Sequence, residues 1–221
     1  MKLFVEAIVK FLLGVVLVGV LIFLPAGTLN YLNGWILMGI LFVPMFVAGI
    51  IMLVKNPKLL ESRLTAKEKE KEQDLVVKLS GLMFVAGFVV AGLDYRFKWL
   101  ELPLFVTIIG AVVFISSYIL YALVLKQNTF LSRTIGVQEN QYVIDTGLYG
   151  VVRHPMYTAT IFLFLSMPLV LGSIFSFFIF LFYPVLIILR IKNEEKVLAE
   201  QLIGYKDYLK TVKYRLIPYI W

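Results

Sequence analysis

The sequence contains no cysteine and a single histidine. The first absence excludes disulfides, thiolate metal sites, iron-sulfur clusters and cysteine nucleophiles. The second leaves too few imidazoles for a histidine-based metal centre, so no metal site is expected. Charge is scarce as well. Charged residues make up 16% of the 221 positions while 61% are hydrophobic, too apolar a balance for a water-soluble globule of this length. Internal repeats and low-complexity tracts are also missing.

What the chain has instead is apolar runs of membrane length. They cover roughly Phe4 to Leu24, Gly34 to Val54, Leu75 to Leu93 and Pro103 to Leu125, and a helix needs about 20 residues to cross the hydrocarbon. Backbone polar groups in lipid must bond internally, so helices are the expected form. A fifth apolar region, Tyr157 to Leu189, is too long for one crossing and is interrupted by Pro168, Gly172 and Ser173. It reads as a tight hairpin of two short helices. The expected fold is therefore an all-α integral membrane protein with about six transmembrane helices, the last two a short hairpin, and a cytoplasmic C-terminal interfacial helix. It forms one membrane domain: a four-helix membrane region over 1–125, with a charged cytoplasmic loop at 55–75, and a core over 126–221 that holds the candidate chemistry. The first run follows Lys2 with no clear small-residue cleavage site, so it reads as a retained helix.

The formal charge is +7, but the basic residues lie between the apolar runs and form no aromatic-interleaved basic domain. No nucleic-acid partner is expected; the charges read as topology. Six crossings place both termini, the 55–78 connection, the 126–155 connection and the tail from Arg190 on one side. That side collects 19 of the 21 lysines and arginines, leaving only Arg96 and Lys98 on the other. The positive-inside rule makes it cytoplasmic, which in a prokaryote puts the chain in the plasma membrane with both termini inside. The mixed-charge run Ala66 to Asp74 sets Glu68 and Glu72 against Lys67 and Lys71 at helical spacing and reads as a solvated helix end.

The connection from Asn128 to Tyr157 is about 30 residues long, unusual for a loop without a role. It is polar, yet includes Tyr142, Val143, Ile144, Leu148, Tyr149, Val151 and Val152, a mixture suited to a pocket wall. Gly147 permits a turn, and a helix can start at Pro155 or Met156 after an extended His154. Arg153 and His154 then stand where a helix N-terminus offers unpaired N–H groups to an anion such as a carboxylate. A topological anchor and a helix-entrance residue would look the same.

Arg190 and Glu194 are four apart and share a helix face. They suit an i,i+4 ion pair at a helix exit, or a site in which Arg190 holds an anionic substrate while Glu194 accepts hydrogen bonds from an ammonium or ribose hydroxyls. Both clusters fall at the feet of one short hairpin and must lie near each other. The tail, from Tyr205 to the terminal Leu216-Ile-Pro-Tyr-Ile-Trp221, is amphipathic and aromatic, fit for an interfacial helix or a lid.

At these residues the sequence resembles the isoprenylcysteine carboxyl methyltransferase family, within a wider group that includes membrane phospholipid N-methyltransferases. The resemblance rests on Thr146-Gly147-Leu148-Tyr149, Arg153-His154-Pro155-Met156-Tyr157, a hydrophobic hairpin, Arg190 with Glu194-Glu195, and a tail with Gly204-Tyr205 and Tyr208, all within approximately residues 126–221. It implies S-adenosyl-L-methionine bound in a cytoplasm-facing pocket and a lipid-like or prenylated acceptor arriving from the bilayer. By position, the implied cofactor contacts are Gln138, Gln141, Tyr142, Val143, Ile144, Tyr149, His154, Pro155, Met156, Tyr157 and Glu194. Arg190 would bind and orient an acceptor carboxylate, with Arg153 and His154 beside it in the catalytic group.

An ionised carboxylate needs no general base, so transfer to it can rest on alignment and water exclusion. An amine acceptor would need deprotonation, with His154 or Glu194 as the nearby candidates. Membrane sterol or enone reductases that use NADPH resemble this C-terminal half too. A transporter or scaffold would place charged or discontinuous residues inside the bundle, and apart from Lys10 the spans carry almost none.

Overall fold

The computed structural model describes residues 2–64, 71–132 and 134–221. Among them every regular element is helical. The N-terminal part holds α1 (Lys2–Ala26), α2 (Leu32–Lys55), α3 (Pro57–Leu64), α4 (Lys71–Phe97) and α5 (Leu104–Gln127). The C-terminal part holds α6 (Pro155–Leu171), α7 (Ile174–Phe180), α8 (Tyr183–Gln201) and α9 (Tyr205–Thr211). Five segments are long and apolar enough to cross a membrane: α1, α2, α4, α5 and the continuous stretch of α7 and α8. At 17 residues, α6 is about 25 Å long and shorter than the others. The outward faces of α1 and α5 stay apolar, with Leu13, Val16, Leu24, Leu104 and Phe105 exposed, as suits a lipid solvent.

Small residues bring the helices close. A Cβ on Gly92 would sit 2.5 Å from the Ile22 carbonyl oxygen, so α4 meets the backbone of α1 directly. A Cβ on Gly110 would lie 2.8 Å from Leu169 Cβ and 2.9 Å from Val170 N, and α5 packs along α6 in the most extensive pairing of the bundle. With no hydrophobic force between helices in lipid, such close packing is the main attraction available.

One end of the bundle is lashed by contacts between turns far apart in sequence. The Tyr31 hydroxyl donates to the Leu171 carbonyl at 2.5 Å, and the ring stacks on Tyr95 at 4.0 Å. Ser173 Oγ donates to the buried Asp94 carboxylate at 2.6 Å. The turns after α1, α4 and α6 therefore share this end. At the other end Lys10 Nζ donates to the Leu64 carbonyl at 2.9 Å, joining the first turns of α1 to α3. Successive long segments thus alternate in direction.

The hairpin differs in detail from the one expected. Gly172, at φ 75°, closes α6 in the left-handed conformation that glycine tolerates, and Ser173 caps α7 by accepting from Ser176 N at 3.2 Å. The second leg is not short: α7 and α8 run to Gln201 with a break at Leu181–Phe182, where Pro184 opens α8. Its extension past Leu189 carries Arg190, Glu194 and Glu195. The stretch 55–75, read as a charged loop, contains α3, whose Leu59 and Leu60 are buried and whose first turn is capped by Asn56 Oδ1 at 3.2 Å from Leu59 N. Of the run 66–74, residues 66–70, with Lys67 and Glu68, lie outside the described residues. Its last residue, Asp74, pairs with Lys78 at 2.6 Å.

Candidate functional site

The site lies at the end of the bundle opposite the lashed turns, where α5 ends, α6 begins and α8 emerges. Pro155 occupies the first turn of α6 and His154 precedes it in a non-helical conformation, φ −127° and ψ 59°. Pro155 forbids a helical His154 and needs no hydrogen-bond partner for its own nitrogen, so the helix starts there. Upstream, Gly147 at φ 59° begins a 3₁₀ turn over Gly147–Gly150 that sets Tyr149 into the interior. Gln127 at the end of α5 holds this turn by accepting from Leu148 N at 3.0 Å.

On α8 the residues Arg190, Glu194 and Leu198 recur every four positions and face one cavity. Arg190 Nε donates to the Tyr157 hydroxyl at 2.8 Å, and that hydroxyl donates to Glu194 Oε2 at 2.5 Å. Arg190 and Glu194 are thus linked through a side chain from another helix. Tyr157 sits one residue past Met156 in the opening turn of α6, which is why the Arg-His-Pro-x-Tyr spacing matters physically.

Glu195, one step round the helix, faces away from this chain of contacts. It is buried and accepts from Arg153 Nε at 2.7 Å and Arg215 Nε at 2.8 Å, with His154 Nε2 at 3.2 Å. Arg153 also donates through Nη1 to the carbonyls of Val212 and Lys213 at 2.7 and 2.9 Å. The backbone follows: Arg153 N and His154 N each donate at 2.9 Å, to the carbonyls of Tyr214 and Arg215. Thr158 Oγ1 donates to the Leu216 carbonyl at 2.8 Å. A buried clasp therefore fixes the C-terminal tail against the entrance of α6. One carboxylate facing two guanidiniums is the arrangement that can compensate such burial.

The clasped tail closes one side of the cavity. Tyr208 donates its hydroxyl to the Tyr149 carbonyl at 2.7 Å. Tyr205 lines the same space; its hydroxyl is buried and makes no hydrogen bond among the described residues, and the Tyr149 hydroxyl is buried beside Asn128. Burial pushes the hydroxyls of Tyr149, Tyr205 and Tyr208 above the ordinary tyrosine range, so they act as neutral donors.

The cavity itself is small, about 90 Å³, and opens at its mouth to the surface. Of the residues expected at the site, Gln141, Tyr142, Val143, Ile144, Tyr149, Arg153, His154, Met156, Tyr157, Arg190 and Glu194 all line it. Gln138 and Pro155 are not part of the lining. Gln138 instead donates its side-chain amide to the Phe130 carbonyl, and its backbone N–H is bound by Gln141 Oε1 at 2.8 Å. Sequence reasoning missed the wall made by Asn128, Phe130, Leu131, Ser132 and Thr134, and the apolar floor of Leu198 and Leu202. The four-residue stripe continuing from Glu194 announces Leu198. The connection from Asn128 reads as a pocket wall, but nothing in the sequence singles out Asn128, Phe130, Leu131, Ser132 and Thr134 within it.

Residues 105–203 match the sequence model of the family described as phospholipid methyltransferase. The match runs from α5 to just past α8 and takes in Arg153 to Tyr157, Arg190 and Glu194, while α1 to α4 and the clasped tail lie outside it. It meets the membrane methyltransferase resemblance read from the motifs. A curated protein, the Delta(14)-sterol reductase of Mus musculus, is 30% identical over 91 residues, which is 40% of this chain and 22% of that protein. The chain thus spans about a fifth of the length of that relative.

Proposed function

We propose that the protein is an S-adenosylmethionine-dependent methyltransferase working at the membrane interface, and that its acceptor is the carboxylate of an isoprenylcysteine-type lipid. The observation that carries this reading is the linked trio of Arg190, Tyr157 and Glu194 on the wall of a cavity also lined by Tyr205, whose buried hydroxyl makes no hydrogen bond among the described residues.

The lining fits this cofactor. Glu194 is the one carboxylate among the described lining residues and suits a ligand with ribose hydroxyls and an ammonium group. Tyr205 offers a buried donor that a ligand could satisfy, and Val143, Ile144, Leu198 and Leu202 supply apolar surface for a base. Held there, S-adenosylmethionine would supply an electrophilic methyl group carried on a sulfonium.

The protein's own residues align and desolvate. Arg190, steadied by Tyr157, orients an acceptor carboxylate without taking a proton from it. The tail, held by the Glu195 clasp, keeps water from the reacting groups. Arg190 presents a guanidinium to an anionic acceptor, whereas the charge of Arg153 is met by Glu195 in the clasp. An amine would have to lose its proton to Glu194, already hydrogen-bonded by Tyr157, or to His154, whose Nε2 is turned to Glu195.

NADPH-dependent reduction of a sterol or enone is the second reading, favoured by the likeness to the sterol reductase. Calorimetric titration of the detergent-solubilised protein with S-adenosylhomocysteine and, separately, with NADPH separates the two. Micromolar binding of S-adenosylhomocysteine alone, lost in Glu194→Ala, is expected. Binding of NADPH alone moves the chain to the reductases, and silence from both in a folded sample points to a non-catalytic scaffold.

A further inference from the structure

The helices before residue 105 lie outside the family match, yet one of them reaches the site. Helix α3 lies against the cavity wall at residues 131 and 132. Ser62 Oγ approaches the Leu131 carbonyl at 3.4 Å, and Arg63 Nη1 reaches the Ser132 carbonyl at 3.4 Å. The same Nη1 lies 3.8 Å from the sulfur of Met156, a cavity residue at the entrance of α6, while Nη2 donates to the Tyr121 hydroxyl on α5. The guanidinium also lies over the Tyr121 ring, 5.6 Å from its centre. One planar fork therefore ties α3 to α5, to the loop and to the start of α6. A guanidinium can present its donors in several fixed directions at once, and a lysine cannot.

The lining residues of the cavity differ in kind. Glu194, Leu198, Leu202, Tyr205 and Val143 form the side assigned above to the cofactor. The lining also includes Phe130, Leu131, Ser132 and Thr134, a mixed apolar and hydroxyl surface with no carboxylate. Helix α3 is tied to α1 by Lys10 on the Leu64 carbonyl, so the wall leans on the first two spans.

We infer that Arg63 is a positioning residue for the acceptor half of the cavity, and that the N-terminal helices act through it to hold the 128–136 wall against which a lipid acceptor lies. The assignment of halves rests on the methyltransferase reading; the hold of Arg63 on the wall does not.

The test compares full-length wild type, R63A and R63K in detergent by three measurements: S-adenosylhomocysteine titration, amide hydrogen exchange, and initial rates with S-farnesyl-N-acetylcysteine. In R63A, exchange at Phe130 to Ser132 and Thr134 to Gly136 should rise about tenfold or more, while amides of 153–158 and 212–216 keep their protection. S-adenosylhomocysteine affinity should stay within about twofold, and the acceptor KM should rise about tenfold with kcat within about threefold. R63K keeps the charge and loses the fork, so it should fall between the two. Unchanged exchange at 130–136 overturns the proposal. So does a parallel loss of S-adenosylhomocysteine affinity, which would mark Arg63 as a general structural residue. Wild type that binds no S-adenosylhomocysteine refutes the methyltransferase reading instead, and the exchange comparison still decides whether Arg63 holds the wall.

Discussion

Glu194 and Glu195 are neighbours in the chain and serve opposite sides of α8: the first accepts from Tyr157 at 2.5 Å on the cavity wall, the second from Arg153 at 2.7 Å in the buried clasp. One residue of helix turns the side chain by about 100°, so a pair that looks redundant in sequence divides into a ligand-facing carboxylate and a tail-holding one.

The division predicts different consequences of removal. Glu195→Ala leaves the guanidinium of Arg153, 6% exposed, without its charge partner, a change that costs about 3–5 kcal/mol for a fully buried pair. Arg215 is a third exposed, so water compensates part of its loss. Thermal unfolding in detergent should show a clear drop in midpoint for Glu195→Ala, together with faster proteolysis after residue 204. A midpoint equal to wild type would show that the clasp holds nothing.

Tyr157→Phe keeps the ring and removes only the hydroxyl that Arg190 and Glu194 share. Hydrogen bonds to charged groups contribute about 1.5–3 kcal/mol each, so kcat/KM should fall at least about tenfold while the unfolding midpoint moves little. If kcat/KM is unchanged, Arg190 and Glu194 act independently and the trio has no mechanistic meaning.

Much of this was legible in the sequence. Apolar runs gave α1, α2, α4 and α5 to within a few residues, because in lipid length and hydropathy leave one solution. Pro155 marked the start of α6, because proline fixes the residue before it. The i,i+4 spacing put Arg190 and Glu194 on one face. What could not be read were contacts set by packing alone. The Tyr157 link between Arg190 and Glu194 depends on how α6 lies against α8, and the clasp depends on where a tail twenty residues downstream returns. Helix α3 was hidden in a charged stretch with too few apolar residues to show a period. Its Leu59 and Leu60 become meaningful only against their neighbours.

Gly110→Ala should be costly although it adds one methyl group. Its Cβ would press on Leu169 Cβ and on backbone atoms of α6 at 2.8 to 3.0 Å, and backbone cannot step aside as a flexible side chain can. Overpacking of this kind costs about 1–3 kcal/mol, which should lower the unfolding midpoint by several degrees. Gly49→Ala is the control: nothing beyond its own helix backbone and chain neighbours lies within 4 Å of the added methyl, so the midpoint should hold or rise slightly. Equal midpoints for both variants would mean that α5 and α6 are looser than their packing implies.

Tyr205→Phe gives the sharpest contrast between stability and binding. A buried hydroxyl without a partner costs about 1–3 kcal/mol in desolvation, and none of the described residues bonds to this one, so deleting it should leave the ligand-free protein as stable as wild type or more so. If the hydroxyl exists to meet a ligand, S-adenosylhomocysteine affinity should fall about tenfold in the same variant, since the lost hydrogen bond is realised only in the complex. Paired unfolding and titration measurements check both halves. Higher stability with weaker binding places Tyr205 in the cofactor site. Higher stability with unchanged binding means that the ligand lies elsewhere in the cavity, and lower stability means that the hydroxyl already has a partner in the folded protein.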